Sequence, residues 1–268
     1  MKVISNIMNI KISANLGFLW NELPLKEAIN NAARVGFDAV ECHWPYEVAK
    51  DKLSAYLLHS KLKMISINTP KGDMKGDFGL NALPGRESEA KRNIELSLNY
   101  AKAIGACYVH VMAGISSHLK ARDTFLSNLE FAIGIAKKRS LRLLIEPMSS
   151  SVVPGYFLTC LSKAISILRD LDDETVKVMF DAYHLYDRNV SIVSLFQKNA
   201  NFIGHIQFSS IPNRQAPHSG SVDYISLIKK INNAGYNGYF GAEYRPGTEI
   251  DSEMVWLKNF RNHWEKED

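Results

Sequence analysis

A single (β/α)8 barrel spanning residues 1–268 is the α/β fold this sequence predicts, and three observations predict it. Strand-like and helix-like segments alternate from one end of the chain to the other, which implies a parallel sheet covered by helices. The alternation completes eight strand–helix units, the number at which such a sheet closes on itself. The length of 268 residues is close to the roughly 250 typical of one such barrel, and no low-complexity stretch or linker divides it. An open doubly wound sheet is the rival, but it begins with a Gly-rich phosphate turn after its first strand. Here that turn reads ANLGFLWNELP, without the glycines.

Each unit has its own justification. Residues 10–17 (IKISANLG) alternate and are rich in β-branched side chains. The following PLKEAINNAARVG sets Leu25, Ile29, Ala32 and Ala33 on one helical face between Pro24 and Gly36. The second unit joins AVECHW (39–44) to a helix through EVAKDKLSAYLLHSK, and the third joins MISINTP (64–70) to a long helix through SEAKRNIELSLNYAKAIG. CYVHVMAG (107–114) then leads to LSNLEFAIGIAKKR, and RLLIEPM (142–148) to LTCLSKAISILRDL. VKVMFDAYH (176–184) precedes a short helix near SIVSLFQKN, FIGHIQFSS (202–210) precedes YISLIKKINNAG, and YFGAEY (239–244) precedes SEMVWLKNFRNHW. Between the third strand and its helix, KGDMKGDFGLNALPGRE (71–87) has no periodicity. A loop of that length on the rim where barrels do their chemistry predicts a lid.

Composition narrows the function. No apolar run approaches the roughly 18 residues of a membrane span, and MKVISNIMNIKI lacks the apolar core of a signal peptide. A cytoplasmic protein without membrane contact is expected. Cys42, Cys107 and Cys160 are odd in number and widely spaced, which argues against a disulfide framework or a thiolate zinc site and makes them packing residues. A net charge of +4 from scattered lysines and arginines suits a small anionic partner better than a nucleic-acid duplex.

Four strands in the second half each end on an oxygen donor: Glu146 in LLIEP, Asp181 in VMFDAYH, Gln207 in GHIQFSS and Glu243 in GAEYRPG. Any one of them alone reads as a helix cap or a lysine partner. Four on consecutive strands converge on one half of the barrel mouth, where carboxylates buried together need a cation or a shared proton. Hard oxygen donors without thiolates suit one divalent cation, Mg2+ or Mn2+. His184, three residues past Asp181, is placed to hold a substrate oxygen. Arg214, in SSIPNRQAPHSG, carries a planar fork that matches a carboxylate or phosphate. Asn15, Glu41, His43, Asn68 and His110 fall at the ends of the first four strands. Each is either part of a polar pocket or a buried hydrogen-bonded group.

With these residues the chain resembles the xylose isomerase-like TIM-barrel superfamily, and within it the hydroxypyruvate isomerase family. The likeness is carried by SANLGFLWNELP, GFDAVECHWPYE, NTPKGDMKGDFGLNALPGRE, YVHVMAG, IEPM, FDAYH, GHIQFSSIPNR and GAEYRPG, nearly the whole length, and N-x-P-x-G-D followed by ALPGRE is its most specific part. The resemblance implies a metal set of Glu146, Asp181, Gln207 and Glu243, and Gln207 separates the family from the ketose 3-epimerases, which usually carry histidine there. It implies an aldose–ketose type isomerase interconverting hydroxypyruvate and tartronate semialdehyde through an enediolate, with Glu146 and Glu243 as the acid–base pair. Arg214, Asn68, His110 and His184 would then surround a small anionic keto acid. No organic cofactor is called for, and homo-oligomerisation is left open. A 2-oxo-tetronate isomerase or a ketose 3-epimerase of the same mechanism is the near alternative. The remote one is an apurinic-site endonuclease-like phosphodiesterase, which would need more histidines and a basic groove. After the seventh strand the family commonly continues G-R-x-x-P-G-T-G-E, whereas this chain has NRQAPHSGS. Asn213, His218 and Ser221 depart from that loop, and His218 and Ser221 are expected to set pocket length.

Overall fold

The computed structural model describes residues 10–248, Ile250 and 254–266. Strands β1 (Lys11–Asn15), β2 (Ala39–Cys42), β3 (Lys63–Asn68), β4 (Tyr108–His110), β5 (Arg142–Ile145), β6 (Val176–Asp181), β7 (Ile203–Phe208) and β8 (Tyr239–Ala242) pair in parallel in sequence order. β8 also pairs with β1, from Lys11 opposite Tyr239 to Ala14 opposite Ala242. That pairing closes the barrel and excludes the open sheet. The expectations for residues 1–9 and for 252–253 at the start of the last helix lie outside the described residues.

The strands are short and almost wholly buried because both faces are covered, by the barrel interior on one side and the helix ring on the other. The ring consists of α1 (Leu25–Val35), α2 (Lys50–Ser60), α3 (Glu87–Ile104), α4 (Ala121–Arg139), α5 (Leu161–Leu171), α6 (Ala182–Leu185), α7 (Ile192–Asn199), α8 (Tyr224–Asn233) and α9 (Val255–Lys266). α1 starts behind Pro24 and stops at Gly36 in the left-handed conformation (φ 95°), as its sequence implies. α4 begins earlier than its periodicity indicated, because Ala121, Thr124 and Phe125 already face the core. The strand read through VKVMFDAYH ends at Asp181, whose Oδ1 accepts from the Tyr183 N–H at 2.8 Å and caps α6. None of the described helices is long and apolar enough to cross a membrane.

The C-terminal helix is held by aromatic packing. Trp256 stands edge-on to Phe37, Phe208 and Tyr244, with ring centroids 6.0–6.2 Å apart, and its indole N–H donates to the Tyr244 hydroxyl at 3.1 Å. α9 is thereby tied to β7 and β8, the strands that bring Gln207 and Glu243 to the rim.

The 71–87 segment is less free than its sequence implies. Gly79, Leu80, Asn81 and Ala82 are buried against the exit of β4, with Gly79 N–H donating to Lys71 O, Asn81 Nδ2 to Met112 O and Ala82 N–H to Ala113 O. Arg86 clamps the far end through Asp77 Oδ1 at 2.6 Å and Glu89 Oε1 at 2.8 Å. Exposure is concentrated at 71–76, so a moving lid would be confined to the tip. Gly79 has φ +100°, and a Cβ there would stand 2.6 Å from the Met112 carbonyl oxygen. Gly79→Ala is therefore expected to cost more than about 1 kcal/mol and to lower the melting temperature. An unchanged melting curve would show that the rim yields at this point.

Candidate active site

The C-terminal ends of the strands open into a cavity of about 480 Å³. Register puts Asp181 opposite Gln207 across β6 and β7, and Gln207 opposite Gly241 across β7 and β8. Glu146 and Glu243 follow immediately on β5 and β8. All four expected donors are buried, none more than 6% exposed. Ligand-type atoms of Glu146, Asp181 and His184 lie within 4.8 Å of one another. Glu243 stands apart from that trio in its bonding: it accepts from Asn15 Nδ2 at 3.1 Å and Arg214 Nη2 at 2.9 Å, and faces His43 Nε2 at 3.1 Å.

The carboxyls are electrostatically unequal. Burial pushes Glu146 well above the usual carboxylate range, and the nearby charges of Glu243 and Asp181 push it further. Asp181 is also raised, by burial first, with the Arg214 guanidinium opposing. Burial acts on Glu243 too, but Arg214 and His43 outweigh it and hold this carboxyl below its ordinary value. Two glutamates on one rim are thus driven in opposite directions, the pattern by which proton donors and acceptors are distinguished.

Two of the cavity's histidines, His110 and His184, are neutral. Burial takes His110 down to about 3, and burial with the neighbouring Arg214 takes His184 down to about 4. The Ser149 N–H donates to His184 Nδ1 at 3.3 Å, which leaves the proton of the neutral ring on Nε2. That Nε2 lies 3.6 Å from Asp181 Oδ2 and 3.8 Å from Glu146 Oε1, too far for a hydrogen bond. His110 Nδ1 is 3.7 Å from Glu146 Oε2, and its Nε2 is buried without a partner. Asn68 lines the same cavity.

Arg214 is 7% exposed, and its Nη2 bridges Glu243 Oε2 and Asp181 Oδ2 at 2.9 and 3.2 Å. Its guanidinium is sandwiched between the rings of Phe18 and Tyr183, 4.8 and 5.0 Å from their centroids, and its Nε has no partner. The residue adopts φ +53°, a conformation that disfavours a side chain by roughly 1–2 kcal/mol and persists where surroundings impose it. Phe18 and Tyr183 were not singled out from sequence, although each directly follows a rim segment, ANLG and FDA. His218 and Ser221 are not among the residues lining the cavity. Ser221 instead bonds back to Ile211 O through its own N–H and Oγ. The expected role of this pair in pocket length is corrected accordingly: the cavity wall beyond the carboxylates comes from Trp44, Phe78, Ile115, Met148, Val153 and Pro154.

A barrel mouth with opposed glutamates, neutral imidazoles and a sandwiched guanidinium around one cavity defines the class, a TIM-barrel enzyme. The sequence profile of the xylose isomerase-like TIM barrel family matches residues 29–260. The chain is 32% identical to 2-oxo-tetronate isomerase of Haemophilus influenzae, over 94% of this chain and 99% of that one. It is 31% identical to hydroxypyruvate isomerase of Escherichia coli (strain K12), over 94% and 100%. A solved structure titled AP endonuclease, family 2, from Brucella melitensis superposes with a TM-score of 0.90 at 31% identity, covering 94% of this chain and 99% of that chain. The chain belongs to the xylose isomerase-like TIM-barrel family and, within it, is a hydroxypyruvate isomerase-like enzyme of the aldose–ketose isomerase type.

Proposed function

We propose that this enzyme is a divalent-cation-dependent isomerase of the cytoplasm that interconverts hydroxypyruvate and tartronate semialdehyde, with 2-oxo-tetronate as the alternative substrate. The names of the two relatives support the substrate class. The observation that carries the metal dependence is Gln207 Oε1, a buried carbonyl oxygen without a partner, on the strand beside Asp181 and near carboxyls that burial drives toward neutrality. An unmet hard acceptor among desolvated acids fits Mg2+ or Mn2+ held by Glu146, Asp181, Gln207 and Glu243. When bound, the ion would supply Lewis acidity at the substrate carbonyl oxygen and charge neutralisation for the enediolate.

The chain's own residues do the rest. Glu243, kept ionised by Arg214 and His43, takes the proton from C3 of hydroxypyruvate. Glu146, raised by burial, returns a proton to C2, and the hydroxyl proton passes from O3 to O2 across the enediolate, so the carbonyl moves from C2 to C3. His184 presents Nε2–H and therefore donates to a substrate oxygen. Arg214, with Asn68, holds the substrate carboxylate, while neutral His110 lines the floor beside Glu146. The endonuclease reading finds less support: among the described residues the acidic group that could hold a metal includes one histidine, His184, whereas that chemistry calls for several.

Turnover of hydroxypyruvate, 2-oxo-tetronate and a neutral ketose, with EDTA and after Mn2+ is restored, tests the proposal. Keto-acid activity that vanishes with EDTA and returns with Mn2+ is expected. EDTA-resistant turnover ends the metal reading, and turnover of the neutral ketose alone moves the enzyme to the 3-epimerases.

A further inference from the structure

Beside the three carboxyls of the site lies a fourth buried acid, which the proposed reaction does not use. Glu41, at 1% exposure, stands on β2 with its carboxylate inside the barrel. Ser13 Oγ donates to its Oε1 at 2.6 Å, and Gln207 Nε2 donates to its Oε2 at 2.8 Å, with Ser66 Oγ more distant at 3.5 Å. His205 Nε2 approaches Oε1 to 3.0 Å without the alignment of a hydrogen bond. Room for this group is made by Gly241, where a Cβ would stand 2.2 Å from Glu41 Oε1 and 2.9 Å from Gln207 Cγ.

We propose that Glu41 is a positioning residue that fixes which end of the Gln207 amide faces the cavity. An amide has one accepting and one donating end, and rotation by half a turn exchanges them. A carboxylate only accepts, so it captures the NH2 end and turns Oε1 away from itself. Gln207 Oε1 is indeed the atom left without a partner. The inference rests on the cation-binding reading above: an NH2 turned to the cavity would repel an ion, whereas the carbonyl oxygen binds it. Without an acceptor at position 41, every cation-bound protein would bury an unpaired Nε2–H, and that penalty would appear as weaker binding.

The test is calorimetric titration of Mn2+ into the metal-free full-length protein, comparing wild type with Glu41→Gln and Glu41→Met. Both variants remove the charge, but only glutamine keeps an acceptor of the same reach. Glu41→Gln is expected to bind within about 3-fold of wild type, and Glu41→Met at least about 10-fold more weakly. Equal losses in both variants would mean that Glu41 acts only through its charge, and wild-type affinity in Glu41→Met would mean that it does not orient the amide. Either result overturns the proposal. Should Glu41→Met not fold by circular dichroism, Gly241→Ala displaces the same carboxylate by crowding its other oxygen, Oε1, and must show the same loss for the proposal to stand. A wild-type protein that binds no Mn2+ is a different result, since it removes the cation reading itself.

Discussion

Glu146→Gln and Glu243→Gln are each expected to reduce turnover of the keto acid at least about 10²-fold, the scale of a positioned acid or base. Glutamine preserves size and one acceptor oxygen but can neither take nor return a proton in this pH range. The two variants should also differ from one another. Glu146 makes no short hydrogen bond and sits 3.7 and 3.8 Å from two neutral imidazoles, so its loss should leave KM nearly unchanged. Glu243 binds Asn15 and Arg214, so its replacement frees the guanidinium and should disturb KM as well as kcat. Both residues are proposed ligands, and a lost cation would mimic lost proton transfer. Rates must therefore be compared at saturating Mn2+. Near-full turnover of either variant under that condition would remove it from the proton path.

Arg214→Leu is the second large effect. The guanidinium is a buried counter-ion for Asp181 and Glu243, at 1% and 7% side-chain exposure, and removing one partner of a buried charge cluster costs about 3–5 kcal/mol. The metal-free variant should therefore melt well below wild type. Saturating Mn2+ should recover much of that loss if the same carboxylates hold the ion. Arg214→Lys restores a positive charge but not two parallel donors, so it should recover stability better than it recovers keto-acid turnover. Activity on a neutral ketose should suffer less than activity on hydroxypyruvate. Equal losses on both substrates would make Arg214 a structural counter-ion and withdraw its carboxylate-binding role.

The barrel was legible because each strand–helix unit carries its own local signals. Pro24 and Gly36 bound α1, and the apolar run before each of Glu146, Asp181, Gln207 and Glu243 put these donors on one rim. What remained hidden depends on contacts across the barrel. Nothing in AVECHW says that Glu41 meets Gln207, 166 positions away, because strand order around a closed sheet joins them only in space. The sandwich of Arg214 between Phe18 and Tyr183 is hidden for the same reason. In the 71–87 segment the anchoring of the second half was hidden for the same reason. Its glycines look like a flexible lid, but Gly79 is there because the backbone passes too close to Met112 to admit a side chain.

Asp181 ends one element and begins another, and its two oxygens divide that labour. Oδ1 is tied to the Tyr183 N–H, leaving only Oδ2 to meet Arg214 or, in the proposed holoenzyme, an ion. The bend of the main chain and the aim of a charge are thus a single degree of freedom. If 181–185 frays, the free oxygen swings with it, so in the proposed holoenzyme local melting would also release the ion. The segment would then be a fuse within the rim: heat that opens this one turn would disarm the proposed holoenzyme while the other strands of the barrel stay paired.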